Sequence, residues 1–148
     1  MKLYIPKISL KTLSEKELER YHMLDSRAFG KGLAYRVAAK LTRSPNESGG
    51  LYFAHRDYCG MGLYLNDGQF TLGTVYDGRG PFPIVATFES EKDFSQWLAE
   101  QSDQSMALYG EKFDNQTITK IRLEWYLEEH YSTSWNAYCH YIRIMEKL

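Results

Sequence analysis

Between Gly50 and Glu89 apolar and polar positions alternate with a period of two, and glycine interrupts them at intervals. That period belongs to strands, whose successive side chains point to opposite faces. The clearest turn is Asn66-Asp67-Gly68-Gln69. Asp-Gly supplies the two positive-φ residues of a type I′ hairpin, so Asn66 is expected opposite Gln69. The register then sets Leu65 against Phe70 and Leu63 against Leu72 on a core face. Tyr64 meets Thr71 on the other face, where Gly62 meets Gly73 in a slot without side chains. A second turn is expected at Asp77-Gly78-Arg79-Gly80-Pro81. Beyond it Phe82, Ile84, Ala86 and Phe88 alternate with Pro83, Val85 and Thr87, a strand apolar on both faces and therefore central. Upstream, Leu51, Phe53 and His55 alternate with Tyr52, Ala54 and Arg56.

The flanks change period. Ser14-Glu15-Lys16-Glu17 is a capping box. It predicts a helix with Leu18, Tyr21 and His22 on one stripe, ending near Phe29-Gly30. Residues 33–42 fit two templates: Leu33, Tyr35, Val37, Ala39 and Leu41 alternate, while Leu33, Ala34, Val37, Ala38 and Leu41 match a helical face. The bracketing Gly30, Gly32 and the turn-rich 44–50 favour a strand. After Phe88, Ser90-Glu91-Lys92-Asp93 opens a helix with a hydroxyl cap and acids in its first turn. Phe94, Trp97 and Leu98 form its buried stripe. Residues 102–117 read as a loop with one helical turn around Met106, Leu108 and Tyr109. A further helix starts near Asn115 or Thr117 and buries Ile118, Ile121 and Trp125, with Leu123 and Leu127 beside them. A last one runs from Ser134 to the end around Trp135, Tyr138, Ile142 and Met145. The expected fold is therefore α+β, a single domain over 1–148. Its antiparallel meander sheet has about five strands, with helices packed on one face and a helical C-terminal third.

With 148 residues, 43% hydrophobic and 25% charged, the composition is that of a soluble globule with an ample core. No apolar run reaches the length of a membrane span, and Met1 to Lys7 lacks the apolar region of a signal peptide, so a cytoplasmic location is expected. Cys59 and Cys139 are expected to be reduced there. His22, His55, His130 and His140 form no zinc-site spacing with the cysteines or each other, so no metal and no cofactor are expected. Net charge is −1, which points away from direct nucleic-acid binding. The charge is uneven, however. Residues 1–48 hold ten Lys/Arg against five Asp/Glu, and residues 91–130 hold four against nine. The acidic segment either screens the basic one within the fold or offers an acidic face to a basic partner.

Candidate chemistry is sparse. His55-Arg56-Asp57 has the letters of a kinase catalytic loop without a glycine-rich loop or a following Asn at the required spacing. On a strand, His55 and Asp57 share a face, and a surface ion pair is the plainer account. Asp77-Gly78-Arg79-Gly80 can hold an anion on its amides and Arg79, or can be a hairpin tip suited to partner contact. Glu124 and Glu128 sit one helical turn apart and read as a solvated face. No nucleophile–base set is spelled out, so no catalytic residue is assigned. The competing class is a small-molecule-binding or small hydrolytic α+β domain using the Gly62/Gly73 slot and His55.

Taken together, several stretches resemble the small immunity proteins of bacterial polymorphic-toxin and contact-dependent growth inhibition systems. They are Gly62-Leu63-Tyr64-Leu65-Asn66-Asp67-Gly68-Gln69-Phe70, then Tyr76-Asp77-Gly78-Arg79-Gly80, the strand ending at Phe88, and the acid-started helix with Phe94, Trp97 and Leu98. The likeness covers roughly a third of the chain and lies in this plan, without a diagnostic motif. It implies a cytoplasmic protein that binds and blocks one toxin domain, an antitoxin without turnover of its own. Many such toxins would be basic nucleases, which suit an acidic face. Partner contact is accordingly expected at Asp77, Arg79, Asp103, Glu124 and Glu128.

Overall fold

The computed structural model describes residues 2–3, 8–43, 51–52, 60–75, 84–110, 113 and 117–128. The elements in chain order are β1 (Lys2–Leu3), α1 (Glu15–Met23), α2 (Lys31–Arg43), β2 (Leu51–Tyr52), β3 (Gly60–Asn66), β4 (Gln69–Val75), β5 (Ile84–Phe88), α3 (Glu91–Glu100), α4 (Asp103–Met106) and α5 (Lys120–Leu127). The class is α+β. Three full antiparallel strands, β3, β4 and β5, lie side by side, and the two-residue segments β2 and β1 flank them at the outer edges.

The hairpin forms where its turn chemistry places it. Asp67 and Gly68 both have positive φ, at 50° and 78°, and Asn66 pairs with Gln69. Leu65 then faces Phe70, Leu63 faces Leu72, Tyr64 faces Thr71 and Gly62 faces Gly73. Leu63, Phe70 and Leu72 enter the main core with Ala86 and Phe88 of β5. The opposite face is also closed to water: Tyr64, Thr71 and Thr87 are buried, as are Gly62 and Gly73.

β5 departs from simple alternation. Its partners on β4 run Phe88–Phe70, Thr87–Thr71 and Ala86–Leu72, and then the register slips so that Ile84 meets Gly73. Val85 is the extra residue of a bulge. The slip moves Ile84 off the face shared by Ala86 and Phe88 and leaves it exposed, while Val85 is buried.

Residues 33–42 are helical, which corrects the expectation of a strand and removes one member from the expected count of about five. Leu33, Ala34, Val37, Ala38 and Leu41 are all buried, and Tyr35, which a strand would set beside Leu33, is 65% exposed. Alanine at 34, 38 and 39 favours the helix intrinsically. Gly30 is its cap: its carbonyl accepts the first helical bond, from Ala34 N–H. The amides of Phe29 and Gly30 donate to Gln101 O and Ala99 O, which satisfies carbonyls left open at the end of α3. α1 stops at Met23, earlier than expected, where Leu24 turns extended and its N–H donates to Tyr21 O. Its capping box is present in both directions, with Glu17 N–H on Ser14 and Ser14 N–H on Glu17. His22 is exposed, and Tyr21 is half-buried in a small second cluster with Ile8, Leu13 and Leu24 against Ala107, Leu108 and Phe113.

α3 is capped by Ser90, whose hydroxyl accepts from Asp93 N–H, and buries Phe94, Trp97 and Leu98 as its spacing requires. Phe94 stacks on Phe70 at 4.7 Å between ring centroids and meets Phe88 edge-on at 5.7 Å. This cluster locks α3 to the sheet. α2 packs against both α3 and α5. α5 starts later than expected, after the Thr119 cap; Ile118, Leu123 and Trp125 are buried as expected, Arg122 and Tyr126 join them, and Ile121 is only half-buried. The expected helix from Ser134 onward lies outside the described residues.

Candidate protein-binding surface

Two cations inside this fold serve its own backbone. Arg122 on α5, 2% exposed, donates to Thr117 O at 2.6 Å and to Met61 O of β3 at 3.2 Å. Lys40 on α2, also buried, donates to Tyr126 O and lies 4.4 Å from the centre of the Tyr126 ring. Each cation joins one element to the next. Thr117 Oγ1 donates to Met106 O, and Gln101 Nε2 donates to Trp97 O. Among the described residues no three His, Cys, Asp or Glu side chains gather to hold a metal ion, and no helix is long and apolar enough to cross a membrane.

Of the residues expected to contact a partner, Asp77 and Arg79 lie outside the described residues, as does His55. Asp103 opens α4, and its Oδ1 accepts the backbone N–H of Lys120 at 2.9 Å, tying α4 to the first turn of α5. Burial pushes its pKa up, the bond from the Lys120 amide opposes this, and the nearby Asp25 charge adds to the rise. Its charge is thus partly withdrawn into the fold. Glu124 and Glu128 lie one turn apart toward the other end of α5, opposite its buried Leu123 and Tyr126. Glu124 is half-buried and Glu128 is exposed. Asp103, on α4, meets the start of α5 at Lys120, and Glu128 caps the far end of α5 about 12 Å further on at 1.5 Å per residue.

A second surface was hidden by the strand reading of 33–42. α2 carries Lys31, Arg36, Lys40 and Arg43 and no Asp or Glu. Lys40 is turned inward, while Lys31, Tyr35, Arg36 and Arg43 are exposed. Among the described residues the one ion pair is Arg27–Asp25 at 2.8 Å, which holds the Asp25 carboxyl down to about 2. The signal available in the sequence was the run of thirteen residues from 31 to 43 with four bases and no acid. α3, packed beside α2, exposes Glu91, Asp93 and Glu100 together with Lys92. α2 is therefore basic and α3 carries more acids than bases, while α5 is mixed, with Lys120 and Arg122 toward its start and Glu124 and Glu128 toward its end.

The Gly62/Gly73 slot exists as a register pair and is buried. No protein-family model matches this chain, and no curated protein or solved structure does either.

Proposed function

We propose that this protein is a cytoplasmic immunity protein that neutralises a bacterial toxin domain by stoichiometric complex formation. The supporting observation is the exposed charge carried by packed helices, bases on α2 and the Glu124 and Glu128 pair at the end of α5, while the buried cations Lys40 and Arg122 bind the chain's own carbonyls. A rigid surface with sorted charge gives a partner register and fast encounter. Glu124 and Glu128 supply the acidic part, with Asp77 and Arg79, in the turn expected from the sequence, as further contacts. Asp103 contributes less, because its carboxylate already serves Lys120 N–H. A basic toxin cleft, as in a nuclease, is the partner chemistry that fits Glu124 and Glu128. The helix expected from Ser134 and the sheet of about five strands belong to the same proposal.

Co-expression with the toxin domain encoded beside this gene tests the reading. Cells producing both should survive, and the two proteins should co-purify one to one. Reversing Glu124 and Glu128 to Lys should slow association and flatten its salt dependence. Equal killing with and without this protein, together with no recovered complex, would refute the proposal.

A further inference from the structure

Three choices on the outer face of α2 work against the helix that carries them. Lys31 stands in the first turn, where the helix dipole disfavours a cation. Gly32 follows it inside the helix, although glycine is a poor helix former. A Cβ at Gly32 would meet nothing within 4 Å, and its backbone is not left-handed, so neither packing nor conformation requires glycine there. Tyr35 is a large aromatic residue left 65% exposed. The inner face of the same helix shows no such conflict. Local choices that oppose the fold without a compensating contact cluster at functional sites.

The three positions adjoin Arg36 and, two turns on, Arg43. Among the described residues none of Lys31, Arg36 and Arg43 forms an ion pair. Exposed tyrosine and arginine are the side chains that most often dominate protein interfaces. The patch spans about 18 Å at 1.5 Å per residue. Its three exposed cations sit beside α3, which exposes Glu91, Asp93 and Glu100, on a chain of net charge −1, a poor match to a phosphate backbone. A protein surface bearing carboxylates opposite α2 and bases opposite Glu124 and Glu128 matches this pattern.

We propose that the outer face of α2 is the energetic centre of the toxin interface, an assignment that rests on the immunity reading. Tyr35 buries its ring in a pocket of the toxin domain, and Gly32 lets the partner's backbone approach the helix. Lys31, Arg36 and Arg43 pair with toxin carboxylates around that contact. Glu124 and Glu128 act at the edge of the same interface and steer encounter.

The experiment measures binding of the catalytically inactivated toxin domain encoded beside this gene to the wild-type protein and four variants. Tyr35→Ala, Arg36→Glu and Arg43→Glu should each raise Kd about tenfold or more, mainly through faster dissociation. Gly32→Gln should raise the thermal midpoint and yet weaken binding, a divergence that a purely structural role cannot give. All four positions are exposed, and circular dichroism checks that each variant folds. If the wild type binds tightly and the four variants bind as it does, the α2 assignment is overturned and the immunity reading stands. If the wild type does not bind, that reading fails and the assignment falls with it.

Discussion

Replacing Phe94 by alanine should destabilise the protein by about 3–5 kcal/mol, the range for a large aromatic removed from a closed core. Phe94 is fully buried and sits at the junction of α3 with the sheet. Its ring stacks on Phe70 with an interplanar angle of 14°, meets Phe88 at 64°, and lies 6.1 Å from the Trp97 ring. Each well-formed aromatic pair adds about 0.5–1.5 kcal/mol to the cost of uncovering area. The cavity cannot close easily, because Phe70 and Phe88 are fixed by strand pairing, directly opposite each other on β4 and β5. Against a total stability of about 5–15 kcal/mol the loss is a large fraction. Urea unfolding followed by circular dichroism measures it, with tryptophan fluorescence as a second probe because Trp97 adjoins the site. The midpoint should fall at constant slope, since the surface exposed on unfolding is little changed. In a double-mutant cycle with Phe70→Ala, the coupling should be about 0.5–1.5 kcal/mol. A Phe94→Ala loss below about 1 kcal/mol at unchanged slope would mean that this stack does not hold α3 to the sheet.

Ser90→Ala should cost about 1 kcal/mol in the same assay, because it removes the acceptor for Asp93 N–H at the start of α3. Gly32→Ala should stabilise by about 0.5–1 kcal/mol, the helix preference with no steric penalty to offset it. The Asp25 carboxyl, held at about 2 by Arg27, contributes stability that is complete above its unfolded value, near 3.9, and is lost as pH falls through 2. Arg27→Ala should return the Asp25 titration, followed by carboxyl NMR, toward the ordinary value. Asp103 has the opposite sign: its raised pKa means that stability is lost as pH rises from the unfolded value through the folded one. Asp103→Asn should remove that slope while keeping the acceptor for Lys120 N–H, whereas Asp103→Ala should cost about 1 kcal/mol at neutral pH through the lost cap.

What could be read from the chain alone was local. The Asp67-Gly68 turn fixes its own dihedral angles and, through them, every pairing from Asn66–Gln69 to Gly62–Gly73. The caps at Ser14 and Ser90 need only residues three positions away, and the Phe94, Trp97 and Leu98 stripe has a single period. The Glu124 and Glu128 pair followed from helical spacing in the same way. The rest depended on partners distant in sequence. Residues 33–42 satisfy both periods, and the choice was made by the core that receives Ala34, Val37 and Ala38 from one side of α2. Only that choice turned Tyr35, Arg36 and Arg43 outward as a surface. The bulge at Val85 arises from pairing with β4 and cannot be seen in β5 by itself. Arg122 and Lys40 have the chemistry of surface residues, and they are buried because Met61 O, Thr117 O and Tyr126 O are within reach. Asp103 looked like a free charge until the fold brought Lys120 to it, seventeen residues along the chain. Turns and caps are satisfied within one or two turns of chain, so the sequence states them. Burial of a charge or the choice between two periods is decided by which distant groups desolvate it, and that exists only in the folded molecule.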